Sequence, residues 1–591
     1  MRQSVKVAGA TGFWGETPIG MSKLLEHPGL DFVVFDYLAE ITMSIMARAR
    51  ARNANLGYAY DFVTAAMQPN LKTINDRKIR VLSNAGGLNP KACAAALEKE
   101  ISAAGLSLSV AVVEGDDLMG VLEQYNNCKE MFSRMAMPAR DQIISANAYL
   151  GATPIVAALN AGADIVITGR CVDSALTLAA AAHQFGWAFD DYDKISAGSL
   201  AGHLLECGPQ ATGGNFTDWE EAGDLAEVGY PIAEISPEGD CVIAKPEGTT
   251  GVVTVGSVAE QMLYEIGDPQ AYVLPDVVCD FSEVALEAVG ENRVKVSHAK
   301  GRPATGELKV SLTYNDGFRA GYLFFFNGKN AADKARAYAD MGLSRARKLM
   351  FHQQLPDFSE VCVETFGGAQ EITLKVAVRH VSDKGVQVFL RETMGAALAS
   401  PPGMHAFTGA GRPKPSPVVR LFSFLVPQSD VKVTVTLSGK VLNYEVPDVP
   451  IVGVSGASSA IPKPAVTDAV ALEMVPLEEL AYARSGDKGD KANIGVIARH
   501  PEFLPWIWAG LTPDVIQKVF DAYSSGAVHR YFLPGSHSMN ILMDNALGGG
   551  GIASLRNDPQ AKSFGQILLR TPISIPSNVV AIADQENWHE F

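Results

Sequence analysis

Within its first 175 residues the chain passes again and again from a short apolar run through glycine, aspartate or asparagine into an Ala- or Leu-rich stretch. The segments are VKVAGATGFWG, DFVVFDYLAE, KIRVLSNAGGLNP, LSVAVVEGDDL and ADIVITGRCVDSALTLAAAA. Short buried strands that feed helices through glycine turns can hide both sheet faces only by laying the strands parallel between two helix layers. The expected fold class is therefore α/β, with a doubly wound, mainly parallel sheet. In such sheets ligands gather where strand ends release loops. Residues 9–15, 84–87, 114–117 and 169–174 should thus share one rim, which puts Gly12, Asn84, Arg170 and Asp173 among the candidate binding residues.

The chain has 591 residues, enough for several domains. Residues 200–256 are rich in Gly, Thr and Pro and read as long loops. Residues 272–450 alternate in RVKVSHA, ELKVSLTY, YLFFFN, EITLKVAVRHV and VKVTVTLSGKV around a helical stretch near residues 331–350, an α+β layer. We divide the chain into residues 1–451, with strand–loop–helix units to 256 and the α+β portion from 257, a linker at 452–470, and a C-terminal domain at 471–591. That last domain is expected to be a ferredoxin-like α/β sandwich, with ANIGVIAR, HRYFLPGSHSMNILM and FGQILLRTPI as strands and a helix opened by TPDV.

Lys plus Arg number 49 against 65 Asp plus Glu, a net charge of −16. That balance repels phosphate backbones and anionic lipid, so neither nucleic acid nor a membrane surface is an expected partner. No basic, then apolar leader opens the chain, and no uncharged apolar run reaches the roughly 18 residues a membrane span requires. A cytoplasmic location follows as an expectation, with a symmetric homo-oligomer as the base-rate assembly. Seven scattered cysteines with no Cys-x-x-Cys pair suggest reduced thiols, neither a disulfide frame nor a zinc knuckle.

Four motifs carry chemistry. Gly9, Gly12 and Gly15 follow a strand and Asp36 ends the next, an arrangement similar to the fingerprint of extended short-chain dehydrogenases, and Tyr125 and Lys129 supply a Tyr-x-x-x-Lys. Glu16 and Pro18 set negative charge and a tight turn beside the phosphate position, so the alternative is a plain strand-to-helix turn. His203, Glu206 and Cys207 lie three and four residues apart, where one helical face offers an imidazole, a carboxylate and a thiol for proton transfer. Their alternative is a helix end closed by Gly208. Gly213 and Gly214 then permit a backbone to approach a ligand.

In KPEGTTG, Lys245, Gly248, Thr249 and Gly251 can cradle an anion, although no Walker ending follows. Densest is ARSGDKGDKANIG, where Arg484, Ser485, Asp487, Lys488, Asp490, Lys491 and Asn493 surround two glycines ahead of an apolar strand. Arg and Lys in such a loop hold anions while the aspartates order it, or the whole is a solvated turn. His537 and Asn540, with Gly549 and Gly550 in a glycine run before Ser554 and Arg556, add anion-binding chemistry to the same domain. No metal ligand set is assigned. No strong nucleotide motif is present, and the cofactor is left unassigned.

In combination, GATGFWGE, GRCVDSALTLA, ECGPQATGGNF, KPEGTTGVVTVGSVAEQMLYEIGDP and RSGDKGDKANIGV resemble the acyclic terpene utilization family AtuA over nearly the whole chain. The resemblance implies a large N-terminal domain, a C-terminal ferredoxin-fold domain, and a place in bacterial breakdown of acyclic terpenes such as citronellol and geraniol. Acyl-CoA carboxylase, enoyl-CoA hydratase and dehydrogenase enzymes are its implied neighbours there. It supplies no catalytic residues. The resulting expectation is an enzyme of hydratase or lyase type acting beside the carbonyl of a branched or acyclic-terpenoid carboxylic acid, carried as a CoA thioester. His203, Glu206 and Cys207 would be its acid–base groups, and donors near Gly213 and Gly214 would face the developing enolate. The alternatives are a non-catalytic subunit or scaffold for an acyl-CoA carboxylase pathway, and an NAD(P)-dependent short-chain-type dehydrogenase.

Overall fold

A computed structural model describes residues 3–407, 411–447, 450–451, 461–466 and 472–583. The expected linker at 452–470 lies outside the described residues apart from 461–466.

An eleven-stranded sheet organises the larger part of the chain. Its centre is parallel, in the order Val5–Gly9, Phe32–Phe35, Arg80–Ser83, Ile165–Thr168 and Val110–Glu114. Antiparallel strands extend both edges, with Ile232–Ile235 beside Val5–Gly9 and Thr434–Leu437 beside Val110–Glu114. The central strands are apolar throughout because both of their faces are covered. In Phe32–Phe35, Phe32 and Val34 join one core, and Val33 and Phe35 the other. Helices Ile19–Glu26, Glu40–Arg52 and Pro90–Ala103 cover one face, and Thr153–Asn160, Ala175–Phe185, Tyr192–Leu205 and Val255–Leu263 the other. Burying one such phenylalanine contributes about 2–3 kcal/mol. Among the described residues no helix is long and apolar enough to cross a membrane.

The larger part does not separate at residue 256. Helix Val255–Leu263 runs through that point, and hairpin Ala285–Gly290/Arg293–Ser297 and strand Thr434–Leu437 join the first sheet. The expected segments ELKVSLTY and YLFFFN are one strand, Glu307–Asn327, bent by a register shift between Asn315 and Phe318. It centres a six-stranded sheet covered by helices Ala331–His352 and Asp383–Gly395.

The C-terminal domain is the expected α/β sandwich, a four-stranded antiparallel sheet in the order Ala481–Lys488, Lys491–Ala498, Ser538–Met543, Val528–Leu533. Thr512 caps helix Pro513–Val519 by accepting from the Val515 amide at 3.3 Å. Two sequence expectations are corrected. HRYFLPGSHSMNILM is a hairpin that turns at Gly535–His537 rather than one strand, and FGQIL is helix Phe564–Leu568, with only Pro572–Pro576 extended. Its two central strands, Lys491–Ala498 and Ser538–Met543, are buried on both sides. Ile494 and Val496 face the domain's own core, while Gly495 opposes helix Val255–Leu263, where an added Cβ would stand 2.5 Å from Leu263 Cβ.

Candidate functional site

The first glycine turn serves packing. A Cβ on Gly9 would stand 2.5 Å from the Leu205 carbonyl oxygen, and one on Gly12 2.9 Å from the backbone of Cys207. These glycines let the end of helix Tyr192–Leu205 rest on the rim of the parallel sheet, which brings Glu206 and Cys207 there. The turn's anion-binding amides are already engaged. Glu16 Oε2 accepts from Gly12 N at 2.7 Å and from Thr11 Oγ1 at 2.9 Å, and Oε1 accepts the Tyr230 hydroxyl at 2.6 Å. Asp36 is buried and accepts from Asn84 Nδ2 and from the Leu38 amide. Tyr125 of the Tyr-x-x-x-Lys motif is buried in the core, its ring 5.9 Å from Phe424.

His203 lies in the last turn of helix Tyr192–Leu205. Its side chain is buried and its Nδ1 is 2.9 Å from Glu206 Oε1, yet neither ring nitrogen makes a hydrogen bond among the described residues. Gln261 Nε2 fixes the turn behind it by donating to the His203 carbonyl at 3.0 Å. Burial, followed by the charge of Glu206, pushes the Cys207 thiol well above its ordinary range, so the sulfur keeps its proton. Burial also raises the Asp36 carboxyl to about 6 against the opposing charge of Arg170.

The expected rim residues Asn84, Arg170 and Asp173 do converge. Arg170 pairs with Asp173 at 3.0 Å, donates to the Leu38 carbonyl, and stacks 4.2 Å from the Tyr149 ring centroid. The Tyr149 hydroxyl donates to Glu40 at 2.7 Å. Burial drives the Glu40 carboxyl up, but the charges of Lys309 and Arg170 and the Tyr149 bond together hold it at about 2. Tyr149, Glu40 and Lys309 sit in segments without motif spacing, so only the fold reveals them.

The small domain closes over this cluster. Lys488, at the end of strand Ala481–Lys488, places its ammonium 5.3 Å from the ring centroid of Tyr272, and that ring lies 6.1 Å from the His203 imidazole. Asp487 is raised to about 7 by burial and then by Glu265, with Lys562 opposing. Lys562 pairs with Glu265 at 3.1 Å and lies 3.6 Å from Asp487. Glu265 has a left-handed backbone, φ 57°, and its amide donates to Asn493 Oδ1 at 2.8 Å. Asn493 Nδ2 and Asn540 Nδ2 donate to the Leu263 and Ile266 carbonyls, each at 2.9 Å, which closes the end of helix Val255–Leu263. Gly486 is required there, because its Cβ would meet Tyr264 and Glu265 side-chain atoms at 2.7 Å.

Other anion loops identified by motif are occupied from within the chain. Asp490 Oδ1 accepts from the amides of Gly549 at 2.8 Å and of Leu547 and Gly550 at 3.2 Å. Lys245 donates to the Thr249 carbonyl at 2.6 Å, and Gly251 abuts the Thr212 carbonyl, where a Cβ would come within 2.4 Å. Gly248 faces open space, and no hydrogen bond or ion pair joins its loop to His203, Glu206 or Lys488 among the described residues. The amides of Gly213 and Gly214 both donate to the Pro209 carbonyl. Arg484 Nη1 donates to Asn215 O at 2.8 Å, and Ser485 Oγ to Ala561 O at 2.6 Å. His537 occupies the hairpin turn with φ 48°, its pKa lowered by burial and then by His500. All seven cysteines are free, and among the described residues no group of three or more His, Cys, Asp or Glu side chains is arranged to hold a metal ion.

A family model described as acyclic terpene utilisation family protein AtuA matches residues 5–437, and a second, described as AtuA ferredoxin-like domain, matches residues 475–574. The comparisons with curated proteins and with solved structures found no significant match.

Proposed function

The chain belongs to the acyclic terpene utilisation family AtuA, and from that premise we propose that it is an enzyme of terpene breakdown that moves a proton beside the carbonyl of a branched or acyclic-terpenoid acid or its CoA thioester. The observation that carries the reading is the buried His203–Glu206 pair, 2.9 Å apart, with both imidazole nitrogens free of hydrogen bonds among the described residues. A carboxylate beside one ring nitrogen stabilises the imidazolium that forms when the other takes a proton from carbon. Dehydration needs that step, hydration runs it in reverse with the proton returned to carbon after water adds, and carbon–carbon cleavage needs the same base on a hydroxyl proton beside the breaking bond. Because the Gly213 and Gly214 amides are engaged, Lys488 and the Tyr272 hydroxyl are the groups assigned to the developing enolate. The Asp36 carboxyl, half protonated near pH 6, is the assigned store for the returning proton. Cys207, with its thiol held protonated, contributes shape rather than a nucleophile.

The test is mass spectrometry of branched and terpenoid acids and their CoA thioesters incubated with the protein. Gain or loss of one water, or a cleaved fragment, supports the reading and names the reaction. No change across the panel, where a known hydratase turns over, overturns it in favour of a partner-dependent role.

A further inference from the structure

We propose that Lys488, delivered by the C-terminal domain, binds the free carboxylate of the substrate, so that the site takes a carboxylic acid with its charge intact rather than a phosphate-bearing head group. The proposal rests on the reading of the His203 cluster as the substrate site. Its first support is the inventory of cations around that cluster. Arg170 is held by Asp173 at 3.0 Å, Lys309 faces Glu40 at 3.7 Å, Lys562 pairs with Glu265 at 3.1 Å, and Lys491 with Asp544 at 2.7 Å. Arg484 donates to the Asn215 carbonyl at 2.8 Å. The Lys488 ammonium alone among these six side chains has neither an ion pair nor a hydrogen bond among the described residues, and it rests 5.3 Å from the centroid of the Tyr272 ring.

Its position is the second support. A part-buried lysine whose ammonium rests over an aromatic face, with no carboxylate paired to it, is suited to receive an anion. The same Tyr272 ring lies 6.1 Å from the His203 imidazole, so the ammonium and the imidazole stand against one aromatic side chain.

Charge decides the class of anion. The Asp36, Glu40, Asp173, Glu206, Glu265 and Asp487 carboxyls surround the cluster, and one ammonium balances one carboxylate but not the several charges of a phosphate ester. The backbone nests that would share a phosphate's charge are filled by Glu16 at Gly12 and by Asp490 at Gly549 and Gly550.

The deciding experiment is calorimetric titration of the full-length protein with isovalerate, geranate and citronellate, with their primary amides and with their CoA thioesters. At least one acid should bind the wild type. Lys488→Met, which keeps the stem but not the charge, should weaken that acid about 10- to 100-fold, the span of a charge-assisted hydrogen bond. Lys488→Arg should recover most of the loss, and amide affinity should be weak and the same in all three proteins. Equal affinity of wild type and Lys488→Met for the acid overturns the proposal, as does the absence of binding to any acid at millimolar concentration. A thioester that binds as tightly as the acid and depends equally on Lys488 also overturns it. These readouts are of binding, so failure of the acid–base reading shows separately, as unchanged turnover in Glu206→Gln.

Discussion

Asp490 sits in the glycine run of its own domain, its Oδ1 2.8 Å from the Gly549 amide and 3.2 Å from those of Leu547 and Gly550. A concave set of amides and a carboxylate 57 to 60 residues away in sequence thus satisfy each other, and an apparent ligand site becomes a fastening between hairpin and loop. Replacing the acid leaves part-buried donors without a partner. Asp490→Ala should lower the unfolding free energy by about 2–3 kcal/mol in urea titration, and Asp490→Asn by less, because one neutral oxygen remains to accept. A midpoint equal to the wild type in both would show that water replaces the carboxylate at no cost.

Gly12 offers a similar choice between ligand and packing. An added methyl would lie 2.9 Å from the Cys207 backbone and 3.0 Å from the Glu206 carbonyl, neither of which can rotate aside. Gly12→Ala should therefore destabilise the protein by about 1–3 kcal/mol and displace the Glu206–Cys207 segment. If the glycine instead admitted a dinucleotide, Gly12→Ala would melt like the wild type and lose nicotinamide binding.

Removing Glu206's charge should stop catalysis without unfolding the chain. Glu206→Gln keeps the shape beside His203 Nδ1 but cannot stabilise the imidazolium, and kcat should fall about 100-fold or more. His203→Ala should fall at least as far. Steady-state kinetics on the substrate found by mass spectrometry, with circular dichroism as the folding control, measures both. Full turnover in the two variants would remove His203 and Glu206 from the mechanism.

Stability should fall as pH rises from about 5 to about 8. Burial raises Glu260 to about 8, Asp116 to about 7 and Asp36 to about 6, each opposed but not offset by its hydrogen bonds or neighbouring cations. A folded state that holds protons the unfolded chain sheds above its ordinary carboxyl pKa, near 4, is favoured by acid, and that advantage disappears through each folded pKa. Glu40 and Glu234, both held at about 2, act in the opposite sense and lose their contribution below about pH 4. Melting temperature against pH should peak between about 4 and 5, and Glu260→Gln should flatten the part of the decline nearest pH 8. A flat profile between 5 and 8 would contradict the raised pKa values.

How much of this was legible in the residues depended on the range of the interaction. Segments such as FVVFD and DIVITG announce buried parallel strands, because a strand covered on both faces is apolar at every position, and the strand ends then place Asn84, Arg170 and Asp173 on one rim. The spacing of His203 and Glu206 likewise survives into the fold as a 2.9 Å pair, since residues three apart on a helix end are neighbours. FGQILLRTPI misled because a short apolar run has no period to separate helix from strand.

The sequence by itself therefore determined the α/β class, the two-domain plan and the His203–Glu206 pair, all of which follow from local periodicity and spacing. Only the tertiary structure decided what each glycine and each charge is for. Gly12 meets Cys207 across 195 positions of chain, Gly486 meets Glu265, and Lys488 reaches Tyr272 from the second domain. Glycine motifs have the same appearance whether an amide faces a ligand's anion or the protein's own carboxylate. Which of the two it faces depends on chain folded back from far away, and no local pattern records that.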